Sequence, residues 1–167
     1  MTFDTILEIG DAMVAIIAAD WQPTGDDDEA ELTFLPGVEK PDAMTGRKVW
    51  VVPLGEEQID GGTRGLDRNQ YTLALIVAER FTSETNRGKP TTAWTRERIQ
   101  FVTRLGKKLS KSRTEPSARL FPSPLNDVLA TKWNQEVEVD FDLLREKSIF
   151  FAQTNLIYER DEAQDEA

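Results

Sequence analysis

Histidine and cysteine are both absent from the 167 residues. The chain therefore supplies no disulfide, thiolate nucleophile, imidazole base or Cys/His zinc cage. Positive charge is scarce relative to negative: 20 Lys and Arg stand against 30 Asp and Glu, for a formal net charge of -10. Nonspecific nucleic-acid binding needs an excess of cations to neutralise phosphates, so it is disfavoured for the chain as a whole. No apolar run approaches the roughly 20 residues that span a bilayer, and no membrane association is expected. Asp4 and Glu8 interrupt the first apolar stretch, so a secretory signal is not expected and synthesis in a cytoplasm is. There is no EF-hand spacing, P-loop, GxGxxG after a strand, or GxSxG. The length suits one domain with a substantial core.

What is present is strong patterning. Phe3, Ile6, Leu7, Gly10, Met13, Val14, Ile17 and Trp21 follow the spacing of one helical face. They predict an amphipathic helix ending before Pro23. Asp26, Asp27, Asp28, Glu29 and Glu31 read as a solvated loop, with a short strand over Leu32 to Leu35 stopped at Pro36-Gly37. Arg47 to Leu54 is rich in β-branched and aromatic residues and predicts a strand. Tyr71 to Phe81, apolar without alternation at its centre, predicts a central strand. Between them, Glu56 to Gln70 with Gly61, Gly62 and Gly65 reads as a long hairpin loop.

Thr92 is read as the N-cap of a second helix whose shared face holds Trp94, Arg98, Phe101, Val102, Leu105 and Leu109. Ser123-Pro124 followed by Leu125, Val128, Leu129 and Trp133 predicts a short third helix. Glu136 to Asp142 alternates strictly, Glu-Val-Glu-Val-Asp-Phe-Asp. On an extended strand this puts Glu136, Glu138, Asp140 and Asp142 on one face, with like charges about 7 Å apart, and Val137, Val139 and Phe141 on the core face. A turn through Leu143 to Lys147 and a last strand from about Ser148 to Tyr158 follow. The fold class expected is α+β, a mainly antiparallel sheet of four to five strands with two long helices packed on one face. It forms a single domain over 1–158, with 159–167 an acidic disordered tail.

Three places can carry chemistry or recognition. Asp140 and Asp142, with Glu138, are carboxylates suited to a hard cation, although a solvated strand face explains them as well. Five cations between Arg104 and Arg113, among them Lys107, Lys108 and Lys111, complement a helix dipole. They can also meet acidic surface on a neighbouring copy. Arg64, Asp67 and Arg68 in the glycine-rich segment are candidates to order against a partner.

The order of elements, with the hairpin Arg47-Lys48-Val49-Trp50-Val51-Val52-Pro53 and Tyr71-Thr72-Leu73-Ala74-Leu75-Ile76-Val77 and the closing run Val137 to Phe151 into Leu156-Ile157-Tyr158, resembles the tail terminator family of tailed bacteriophages. The resemblance covers Phe3 to Tyr158. It implies a structural role without catalytic residues or cofactors. Subunits would form a ring, typically a hexamer, that caps the tail tube and ends its polymerisation. The implied partners are further copies of the chain, the tail tube protein, and the head connector or stopper protein. DNA would pass through without specific binding. The implied location is the neck of the virion, assembled in the host cytoplasm. In that setting the stripe Glu136, Glu138, Asp140 and Asp142 faces either the lumen or a basic neighbour. Two alternatives stay open: a head-completion or stopper protein of the same particle, and a carboxylate-metal nuclease using Asp140 and Asp142.

Overall fold

The computed structural model describes residues 3–23, 27–36, 45–59, 66–82, 89–110, 120–131 and 133–163. The first apolar stripe forms helix α1 (Phe3–Trp21), with Ile6, Ile9, Met13 and Ile17 turned fully into the core. Strand β1 (Glu29–Leu32) follows, then β2 (Arg47–Ile59) and β3 (Leu66–Arg80). Helix α2 (Thr92–Leu109) starts one residue beyond its cap: Thr91, not Thr92, accepts the Trp94 N–H on its side chain. The chain then makes two short strands, β4 (Leu129–Ala130) and β5 (Glu138–Val139), a helix α3 of about two turns (Phe141–Lys147), and the long strand β6 (Ile149–Ala163).

The sheet is mixed and six-stranded, in the order β1-β2-β3-β6-β4, with β5 also pairing β6. Only β1 and β2 run parallel; every other pairing is antiparallel. One face carries Val49, Val51, Leu73, Leu75, Val77, Phe150, Leu156 and Tyr158, packed in a single cluster with α1 and α2. The class is therefore α+β with both long helices on one face, and the sheet has one strand more than expected. The other face holds a smaller cluster of Trp50, Val52, Ala74, Ile76, Ala78 and Ile149, with Leu143 of α3 and Phe151 packed against it.

Several expectations are corrected here. The first strand lies over Glu29–Leu32, not Leu32 to Leu35, because the acids have partners on β2. Asp28 accepts the Arg47 N–H, Glu29 pairs with Lys48, and Glu31 accepts the Trp50 indole N–H. The segment read as a long loop is mostly strand: β2 and β3 pair as far as Ile59 and Arg68 through a register shift near Gly55. No third helix forms over Leu125 to Trp133; the segment is a series of turns ending in β4, held by Thr131 against the Ile157 carbonyl. Residues 159–163, expected in a disordered tail, continue β6 beside β3. Charge complementarity across the pair, Arg68 to Asp161, supports that extension.

The alternating run also departs from its reading. Strand geometry stops at Val139, and Asp140 turns into the N-cap of α3, accepting the Leu143 N–H. Ser148, in the left-handed region, closes the helix by donating its N–H to the Leu144 carbonyl. Asp142 sits in the first turn and Arg145 with Lys147 in the last, the arrangement a helix dipole favours. Val137 and Val139 do pack against the main core, but Phe141 is 51 % exposed rather than buried.

A close approach fixes α2 on the sheet. A Cβ on Gly106 would fall 2.5 Å from the Trp133 ring, which is itself pinned by its Nε1–H donating to Thr154 Oγ1. Gly106→Ala gains helix propensity of about 1 kcal/mol but must displace the indole, an overpacking cost of about 1–3 kcal/mol. The expected result is a net loss of unfolding free energy in urea titration. A stabilised variant would show that Trp133 gives way freely.

Candidate interaction surfaces

The three long strands β2, β3 and β6 share one register from the core outward to Ile59, Leu66 and Ala163. At that outer end charged side chains replace apolar ones. Arg68 pairs with Asp161 at 3.0 Å, Gln70 donates to Glu159, and Arg160 pairs with Asp127 at 3.0 Å. Asp67 stands opposite Glu162 in the register. Arg68, Asp127, Leu129, Glu159, Arg160 and Asp161 line a shallow cavity of about 250 Å³. Asp67 and Arg68 thus lie on β3 and not on a loop, with Arg68 paired to Asp161 within the chain. Arg64 lies outside the described residues.

Beneath this end, next to α1, Tyr71 donates its hydroxyl to Glu162, and Glu56 stands opposite Tyr71 in the register. Tyr71 is fully buried, and burial, then the bond to Glu162, pushes its phenol well above the usual range. Glu56 Oε1 is buried without a hydrogen bond. Burial first, and then the nearby Glu162 charge, raise the Glu56 carboxyl above its ordinary 4.5. A carboxyl raised in the folded state contributes stability that is complete below 4.5 and lost as pH rises through the folded value. Glu56→Gln is therefore expected to raise the melting temperature at pH 7 and to have no such effect below pH 4.5. Superimposable melting-temperature profiles for the two proteins would refute this.

The acidic stripe survives in half. Glu138 stands opposite Gln153 in the β5–β6 register, and Glu136, Glu138, Gln153 and Asn155 line one polar cavity of about 250 Å³. Asp140 and Asp142 leave this surface, the first as a helix cap and the second in an ion pair with Arg145 at 2.7 Å. The two carboxylates needed for the nuclease reading thus have structural partners. Among the described residues no group of three or more His, Cys, Asp or Glu is placed to hold a metal ion.

The basic end of α2 is likewise turned partly inward. Lys108 pairs with Asp20 of α1 at 2.9 Å, and Arg104 reaches the same carboxylate at 3.5 Å. Both pairs bridge α2 to α1, so Lys108 is engaged within the chain although it stays partly exposed. Lys107 remains exposed on the last turn, and Lys111 lies outside the described residues.

The structure thus brings Arg68 to Asp161 and Glu136 to Glu138, and separates Asp140 and Asp142 from them. Sequence reasoning missed Glu159, Asp161 and Glu162, assigned to a tail. The signal was the Arg68-x-Gln70 pattern on one strand set against Glu159-x-Asp161 on another, which pairs when the two run antiparallel. It also missed the exposed Leu35 and Phe141, 85 % and 51 % accessible. No known family model matches the chain, and no curated protein matches it.

Proposed function

We propose that this chain is a structural subunit of the neck of a tailed phage, of the tail terminator kind. Copies assemble into a ring, six by the family pattern, that caps the tail tube and ends its polymerisation. The ring offers a surface to the connector or stopper protein of the head, and DNA passes through without specific binding. The observation that carries this reading is the order and packing of the elements. A long amphipathic helix leads into a hairpin of two long strands, a second helix lies on the same face, and a closing strand returns beside the hairpin. The resemblance to tail terminators rests on this order, with the difference that the closing hairpin is reduced to the two-residue β5 and the long β6, with α3 between them.

The surface chemistry is compatible with assembly. Charged side chains at the outer end of β3 and β6 are matched to one another across strands, giving an ordered, strongly polar edge on which a partner can register. In such a ring the Glu136–Glu138 strip is assigned to the lumen or to a basic neighbour. An acidic lumen repels phosphate and lets DNA slide.

The test is mass measurement in solution followed by electron microscopy with isolated tail tubes. A ring seated at one end of each tube is the expected image. Attachment to DNA-filled heads and not to tails would make the protein a stopper, and a chain that associates with neither would refute the reading.

A further inference from the structure

We propose that Leu35 of one copy seats in the groove between α2 and α3 of the next, joining subunits head to tail. The proposal rests on the ring reading above and names the contact that would build the ring. Leu35 follows β1, one edge strand of the sheet, and is 85 % exposed. Its neighbour Phe34 is 53 % exposed. The segment is held in place: Thr33 N–H donates to the Val51 carbonyl, and Leu35 N–H donates to Thr33 Oγ1 at 3.2 Å. A large apolar side chain fixed outward at a sheet edge is an adhesive feature.

The receptor lies at the other edge. Beyond β6, a groove of about 450 Å³ opens between the first turns of α2 and α3, with Ile99 and Leu144 at its apolar base and Thr95 and Phe141 on its walls. Phe141 is half exposed there although its chain neighbours cap and pair locally. Knob and groove are separated by the width of the β1-β2-β3-β6 sheet, about 15 Å for three inter-strand spacings. A knob on one edge and a groove toward the other suit a heterologous, head-to-tail contact, which forms a ring where the rotation between copies closes.

Charge fits the same pairing. On the same edge strand, at the end away from Leu35, Lys48 reaches Glu29 and the Asp27 carbonyl, and Glu31 stands two residues further on. Burial first, and then the adjacent Glu29, hold the Glu31 carboxyl above its usual range. At the groove, Arg96 lines the mouth and Lys89 precedes the lining Pro90; both are exposed and neither is engaged by an acid among the described residues. Docking the acidic edge against this cationic rim complements both.

The absence of cysteine makes the test clean. Leu35→Cys/Thr95→Cys, oxidised with copper phenanthroline, is expected to give a ladder of disulfide-linked oligomers that neither single variant gives. In parallel, Leu35→Asp removes the knob and Phe141→Asp the groove, both at exposed positions that leave the core intact. Each alone should fall to the 18.9 kDa of one chain. Mixed in equal amounts they should form dimers that grow no further, since one intact knob meets one intact groove. A wild-type ring that Leu35→Asp leaves unchanged, or variants that stay monomeric when mixed, would overturn the contact while the ring reading stands. Wild type that never associates, alone or on tail tubes, would overturn the ring reading and the contact with it.

Discussion

Replacing Glu79 by glutamine is expected to lower the unfolding free energy by about 3 kcal/mol, because it breaks a largely buried ion-pair network while leaving both cations in place. Glu79 Oε1 accepts from Arg47 Nε at 2.7 Å and Oε2 from Arg98 at 2.7 Å. The three side chains are only 13–14 % exposed. Each guanidinium also lies on aromatic faces: Arg47 is 4.3 Å from the Phe101 ring centroid, and Arg98 is 4.3 Å from that of Trp94. The network thus joins β2, β3 and α2, and the arginines cannot swing into water without giving up that stacking. Gln would turn an amide N–H₂ toward at least one guanidinium, setting donor against donor. At about 2–4 °C per kcal/mol for a chain of this size, the melting temperature should fall by roughly 6–12 °C. Glu97→Gln is the control, since Glu97 bonds the same Arg98 but is 70 % exposed; exposed pairs contribute at most about 1 kcal/mol. Equal small losses in the two variants would refute the account.

Thr154→Val should cost about 2–4 kcal/mol, although the two side chains have nearly the same shape. Thr154 is 2 % exposed, and its hydroxyl donates to the Glu136 carbonyl while accepting the Trp133 indole N–H at 2.9 Å. Valine leaves that carbonyl and that N–H unpaired, at about 1–3 kcal/mol each. Thr154→Ser keeps the hydroxyl and removes one methyl, a loss of about 1 kcal/mol. Urea titration of the three proteins separates a hydrogen-bond effect from a packing one. The order wild type, then Ser, then Val is expected, and Val matching Ser would sink the relay. The segment that carries Glu136 hangs on this bond, so Thr154→Val should also loosen the acidic strip.

The long periodic elements were legible because their signal is redundant. Eight apolar positions mark α1, and the apolar centre of β3 marks a central strand; its pattern leaves open whether one face or both are covered, and the two core clusters show both. Capping and charge decided the places that were not legible. Alternation over Glu136 to Asp142 satisfies a strand as well as a cap followed by a helical turn, and the Asp140 side-chain bond to Leu143 N–H chose the latter. Acidic runs were read as solvated because partners on distant strands are invisible locally. Arg47, Lys48 and Trp50 turned one such run into β1, and Arg68 turned another into the end of β6. Of the candidate site, residue types could be named but not their company. Lys108 and Arg68, partner-binding candidates by sequence, pair with Asp20 and Asp161 of the same chain.

The position of β6 has a consequence for synthesis. It is the last element described, yet it lies inside the sheet, between β3 and the short strands β4 and β5. Until the ribosome has delivered Ile149–Ala163, β3 presents an open hydrogen-bonding edge along its whole length, and Phe150, Leu156 and Tyr158 are missing from the core. The sheet therefore cannot be completed until this strand has been made, because β3 and β4 have no other strand between them. An open strand edge of that length is a template for pairing with another unfinished chain.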